Sequence, residues 1–174
     1  MKIFIGYGTT EGHTRKIVKA IAAQIKDMGH DATVFDTAGL LGDTRPEHCD
    51  KVILAGSVHE NRHQESVEIF AVANRRKLAD IPTLFISVSL AAAFENGMAE
   101  AQSYVDSFCE ETQWQPDQTL LVAGAVKHGE YGFYREQYMQ HIVLGDRDLL
   151  DPEADHELTD WEALAKDIKA FVEG

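Results

Sequence analysis

A chain of 174 residues, with 44% hydrophobic and 26% charged side chains, is long enough to bury a core unaided and has the composition of one globular domain, residues 1–174. Its formal net charge of -13 repels nucleic-acid phosphates and anionic lipid, which argues against a nucleic-acid partner and leaves at most peripheral membrane contact. The two cysteines, Cys49 and Cys109, lack any thiolate-metal spacing, and no apolar run reaches the roughly 18 residues of a membrane span, so a reduced, cytoplasmic protein is expected.

The first element is "KIFIGYG", residues 2–8, a short isoleucine- and aromatic-rich run closed by glycine and read as a strand. From Thr14 onward, Ile17, Val18, Ile21, Ile25 and Met28 recur at three- and four-residue spacing, which predicts a helix with Gly29 at its C-terminal cap. "DATVFD" alternates as a second strand, and "KVILAGS", residues 51–57, is continuously apolar like a strand covered on both faces. A polar loop follows, then a helix near residues 64–77 carrying Val67, Phe70 and Ala71. "TLFISVSL" after Pro82 is a fourth strand, and Met98, Ala101, Val105 and Phe108 mark a helix ending near "WQPD". "TLLVAGAV", residues 119–126, is a fifth strand. Residues 127–150 are less regular, with Tyr131, Phe133, Tyr134 and Tyr138 on a short predicted helix. The last helix carries Trp161, Leu164, Ala165, Ile168, Phe171 and Val172 on one stripe, after a capping-box pattern in "TDWE".

Five strands alternating with helices, without repeats or linker-like tracts, predict a doubly wound α/β domain. Right-handed crossovers then gather the functional loops at the carboxyl ends of the strands. One such loop is "GTTEGHT", residues 8–14, between the first strand and the first helix. A helix N-terminus offers unpaired N–H groups and partial positive charge to an anion. Thr9, Thr10 and Thr14 add hydroxyls, and Gly12 lets the backbone curl closely. With no lysine or arginine inside it, the loop suits a phosphate monoester held by neutral donors; the plainer alternative is a polar turn that caps a helix. A dinucleotide fingerprint is excluded because the third glycine of "GYGTTEG" falls one place late, and Asp36 is a weak substitute for its ribose-binding acid. A P-loop is excluded because His13, not lysine, follows Gly12.

"TTEGHT" resembles the phosphate loop of flavodoxins, T/S-x-T-G-x-T, with Glu11 in place of a hydroxyl residue. The resemblance implies a three-layer flavodoxin-like fold with a five-stranded parallel sheet in order 2-1-3-4-5 and FMN as cofactor. It implies that Thr9, Thr10, Glu11, Gly12, His13 and Thr14 hold the 5′-phosphate. The flavin ring would lie between the loop with Ser57, Val58, His59, Glu60 and Asn61 and the loop with Ser89, Leu90 and Ala91. Further along, "AGSVH", "SVSLAAA", "WQPDQTLLVAGAV", "YGFY" and "TDWE" together resemble the flavodoxin-type, quinone-dependent protoporphyrinogen dehydrogenases. That narrower resemblance implies an FMN-dependent oxidoreductase of haem synthesis, with a porphyrinogen as substrate and a quinone as acceptor. The alternative class is a flavodoxin-type electron carrier, whose acidic surface meets a basic redox protein.

"HENRH", residues 59–63, is formally the H-E-x-x-H of zinc hydrolases. It starts directly off a buried strand rather than inside an amphipathic helix, and no third ligand is evident, so a flexible polar loop is expected and no metal. His30, His48, His128, His141 and His156 are scattered and read as surface or loop residues. His59 and His63 are the only rings in the loop, which leaves one flavin face open to a substrate. Phe94, Tyr131, Phe133 and Tyr134 are candidate walls, and no catalytic acid or base is assigned.

Overall fold

The computed structural model describes residues 1–39, 46, 48–126 and 155–174. In chain order these form β1 (Lys2–Gly8), α1 (His13–Asp27), β2 (Asp31–Asp36), β3 (Lys51–His59), β4 (Arg62–His63), α2 (Glu65–Leu78) and β5 (Thr83–Ser89). They continue with α3 (Met98–Thr112), β6 (Gln118–Ala123), β7 (Ala125–Val126), β8 (His156–Glu157) and α4 (Trp161–Glu173). Parallel strands run in the order β2-β1-β3-β5-β6, with the short β4 beside β3. The register across the centre is Ile5 opposite Val34 and Ile53, then Leu54 opposite Phe85, then Ile86 opposite Leu120.

This order explains why the central strands are apolar throughout. Ile3, Ile5, Ile53, Leu84 and Ile86 pack on one face against Ile17, Val18 and Ile21 of α1 and Leu164, Ile168 and Phe171 of α4. Phe4, Val52, Leu54 and Phe85 pack on the other face against Val67 and Phe70 of α2, Val105 and Phe108 of α3, and Trp114. Each such side chain taken out of water stabilises the fold by about 1.5–3 kcal/mol. Helix α1 ends as its sequence predicts. Gly29 adopts φ 82°, its N–H donates to Lys26 O at 2.9 Å and His30 N–H donates to Ile25 O at 3.1 Å, the double bond of a Schellman cap.

The structure departs from the sequence reading in three places. The third strand does not stop at Ser57. It continues to His59 and turns back through Glu60 and Asn61, at φ 49° and 63°, so that Val58 pairs with His63 and His59 with Arg62. Two successive residues with positive φ are what a tight hairpin of the correct twist demands, so the expected flexible loop is a β-hairpin. The expected 2-1-3-4-5 order of the parallel strands is kept, with this hairpin added beside the third.

The second departure is at the fifth strand, which ends at Ala123. Gly124 N–H donates to Ser89 O at 3.0 Å, and Ala125–Val126 leave the main sheet to pair antiparallel with His156–Glu157. The third is the cap of the last helix. Asp160 is the N-cap, its carboxylate accepting from Ala163 N–H at 2.9 Å, and Thr159 of the predicted capping box is engaged elsewhere. The predicted short helix with Tyr131, Phe133, Tyr134 and Tyr138 lies outside the described residues.

Candidate functional site: a cleft at the carboxyl ends of the strands

Gly8 closes β1 where α2 crosses it. A Cβ there would lie 2.5 Å from Val67 Cγ2 and 2.9 Å from Gln64 Cβ, so only glycine lets the chain pass. The loop then folds on itself, with Gly12 N–H donating to Thr9 Oγ1 at 2.9 Å. Gly12 sits at φ 88°, a conformation that costs a residue with a Cβ about 1–2 kcal/mol. From it α1 springs, and its first main-chain bond runs from Lys16 N–H to Gly12 O at 3.2 Å. The N–H groups of His13, Thr14 and Arg15 therefore have no partner within the helix.

Thr14 is fully buried, and its Oγ1 has no hydrogen-bond partner among the described residues although the residue lines the cleft. Leaving a buried hydroxyl unsatisfied costs about 1–3 kcal/mol, which a ligand oxygen at that point relieves. Together these neutral donors fit the phosphate monoester that FMN carries. Glu11 lines the same cleft; its carboxylate offers no donor, so only its main-chain N–H suits an anion.

The start of α1 is tied to the last part of the chain. Thr159 Oγ1 donates to Ala123 O at 2.7 Å, so the same oxygen accepts from His13 Nε2–H, also at 2.7 Å. This places the His13 proton on Nε2. Its Nδ1 lies 3.9 Å from a Glu157 carboxylate oxygen, which also receives the Lys16 ammonium, while Trp161 Nε1–H donates to the other Glu157 oxygen at 2.7 Å. Hydrogen bonds from Lys16 and then Trp161 hold the Glu157 carboxyl below its usual range. The sequence reading did not single out Thr159 or Glu157 as part of this site, because they lie far from the motif along the chain.

Distant in sequence but in the same cleft are Ser57, Val58 and His59 of β3, with Ser89 at the end of β5 and Leu90 after it. The cleft measures about 410 Å³ including its open side. Thr9, Thr10 and His13 complete the expected residues that line it, and Val88, Gly124 and Ala125 line it unforeseen. Four expected residues have other places. Gly12 makes the turn, while Glu60 and Asn61 form the hairpin tip, where Asn61 Oδ1 lies 3.2 Å from Tyr104 OH, a hydroxyl that also meets the Glu100 carboxylate. Ala91 is buried against Ala101 and Tyr104.

His63 is not a loop residue. Its ring lies in the core 5.1 Å from both Phe85 and Phe108, and its Nε2 is 2.9 Å from Ser87 Oγ. Burial pushes this imidazole down to about 4, so it is neutral at ordinary pH. The two histidines of "HENRH" thus stand on opposite strands of a hairpin, one of them inside the core, and not one turn apart on a helix. No group of three or more His, Cys, Asp or Glu among the described residues is placed to hold a metal. Phe94, expected as a wall, packs with Leu90 and Val126. Asp36, the weak ribose-binding candidate, is taken by Tyr7 OH at 3.0 Å and Arg15 at 3.2 Å.

The comparisons with known proteins agree with this geometry. The flavodoxin domain family matches residues 4–149. The chain is 27% identical over 166 residues to protoporphyrinogen IX dehydrogenase (quinone) of Escherichia coli strain K12, which covers 95% of this chain and 91% of that protein. It is 25% identical over 173 residues to a Leishmania major protein of the same name, covering 98% of this chain and 74% of the relative. Among solved structures, a cysteine-to-serine mutant of a flavodoxin from Pseudomonas aeruginosa matches over 100% of both chains, with a TM-score of 0.58 at 14% identity, a likeness of fold. Its parallel β2-β1-β3-β5-β6 sheet and the match over residues 4–149 make this chain a member of the flavodoxin domain family.

Proposed function

We propose that the protein is an FMN-dependent oxidoreductase that dehydrogenates protoporphyrinogen IX and passes the electrons to a quinone. The observation that carries this reading is the correspondence with relatives bearing that name, which covers 95% of this chain and 91% of the E. coli protein's length. The hairpin supports it. Residues 57–63 contain no Trp, Tyr or Phe, and the His63 ring is turned into the core, which leaves room beside the cleft for a planar substrate.

Bound FMN supplies the hydride chemistry, and the protein supplies binding, orientation and tuning. Thr14 Oγ1 and the first-turn N–H groups of α1 hold the phosphate, with Thr10 at the mouth. Main-chain groups of Ser57 to His59 on one side and of Ser89 and Leu90 on the other border the ring. Among the described residues no helix is long and apolar enough to cross a membrane; on this reading a membrane quinone is met by peripheral contact.

The net charge of -13 favours a second reading, an electron carrier for a basic redox protein. One set of assays separates the two. The released cofactor should have the mass of FMN, and the reduced protein should pass two electrons to a menaquinone analogue in saturable turnover, with protoporphyrinogen oxidation followed by porphyrin fluorescence. FAD in place of FMN would overturn the cofactor. Absence of turnover with both small molecules, alongside a rate with a basic redox protein that falls as salt is added, would establish the carrier.

A further inference from the structure

Gln64 belongs to none of the motifs, yet its side chain joins the two halves of the cleft. It occupies the N-cap position of α2 without making a capping hydrogen bond. Its amide nitrogen instead donates to Thr10 Oγ1 on the phosphate loop and, at 3.2 Å, to Ser57 Oγ on β3. An amide NH2 group has two hydrogens and accepts nothing. Both hydroxyl oxygens are therefore acceptors toward Gln64, and the one hydrogen of each hydroxyl is left for another partner. Thr10 and Ser57 both line the cleft.

We propose that Gln64 is a positioning residue that sets the hydrogen-bond polarity of Thr10 and Ser57, so that both present O–H donors to a bound flavin mononucleotide. The inference rests on the FMN reading above and deepens it. A phosphate dianion has only acceptors, so a hydroxyl that spends its hydrogen on a neighbouring carbonyl is useless to it. Gln64 does not take that hydrogen itself, because its NH2 group only donates; it holds each oxygen from behind and leaves the O–H to turn toward the ligand. The same contact fixes the distance between the phosphate loop and the ring-side strand, since one planar amide spans both.

The test is a double-mutant cycle on the whole protein, read as dissociation constants for FMN and for riboflavin, which lacks the phosphate. Gln64→Met should weaken FMN by about 5–10-fold, the worth of one to two oriented hydrogen bonds, and should lower the ratio of FMN to riboflavin affinity. With Thr10→Val and Ser57→Ala already in place, the same Gln64→Met change should alter FMN binding by less than about twofold, because no hydroxyl remains to orient. Equal losses in both backgrounds, or equal losses for FMN and riboflavin, would make Gln64 an ordinary packing residue and overturn the proposal. Should the unmodified protein bind neither ligand, the FMN reading would fall with it; FMN binding with additive losses would sink the positioning role alone.

Discussion

Residues 8–14 and residues 57–63 contribute to one cleft, and each is turned by bonds between near neighbours, but the second is seated in the core by residues far along the chain. Gly12 N–H reaches Thr9 Oγ1 three residues away, and α1 begins from Gly12 O. The hairpin, closed by the Val58–His63 and His59–Arg62 pairs, is docked by distant groups. His63 is fixed by Ser87, 24 residues on, and by Phe85 and Phe108, while Asn61 is fixed by Tyr104, 43 residues on. A ligand-binding wall made of local turns and first-turn amides leaves a motif in the sequence. A wall made by docking one strand end onto a core aromatic pair does not.

The largest expected difference lies on the locally closed side. Thr10→Ala with Thr14→Ala removes two donors to a charged phosphate and should weaken FMN binding by about 3–6 kcal/mol, with riboflavin little affected. Titration of the apoprotein with both flavins measures it, and an unchanged FMN affinity would put the phosphate elsewhere.

The distant closure should fail in acid. The buried His63 imidazole is held near about 4 against an ordinary 6.5, so the unfolded chain binds its proton first as pH falls. The contribution from neutral His63 is fully present above 6.5 and is lost progressively as pH drops toward 4, by up to about 3 kcal/mol. Urea midpoints measured across that window should fall steeply for the native protein and less steeply for His63→Gln, which stays neutral. Equal slopes would show that the hairpin's anchor does not titrate as described.

The smallest effects concern the two turns themselves and should have opposite signs. Gly12→Ala meets nothing within 4 Å but places a Cβ at φ 88°, so a stability loss of about 1–2 kcal/mol is expected from backbone conformation alone. Glu60→Gly relieves a left-handed glutamate at φ 49° and should raise stability by up to about 1 kcal/mol. Thermal melts of the two variants against the native protein check both signs.

What could be read in advance follows the same division. The apolar spacing of Ile17, Val18, Ile21 and Ile25 announces α1 because a helix face is a local periodicity, and all four residues are buried as that pattern requires. "VILA" announces a central strand for the same reason. The continuation of β3 to His59 could not be read from "SVHENRH", since its polar residues resemble a loop until the core contact of His63 is known. One signal was present: Asn61, at a turn between residues that pair, is a residue type that tolerates positive φ. Residues 119–126 read as one strand because the run is apolar on both sides of Gly124, and only the bonds to Ser89 and Leu158 reveal the break. Thr159 fits a helix cap by pattern, but its hydroxyl is committed to Ala123 O and His13, and the adjacent Asp160 supplies the cap instead.

That use of Thr159 has a bearing on how the protein is made. The ribosome delivers residues 157–161 long after residues 8–14. A nascent chain halted before residue 157 carries the whole phosphate-binding motif but lacks Glu157, Thr159 and Trp161, which grip His13 and Lys16 at the head of α1. Lys51 likewise waits for Phe171 O and Val172 O, at 2.7 and 3.2 Å, before its ammonium is satisfied. The cradle is therefore translated well before the residues that brace it, so a chain halted between the two has the motif without its support.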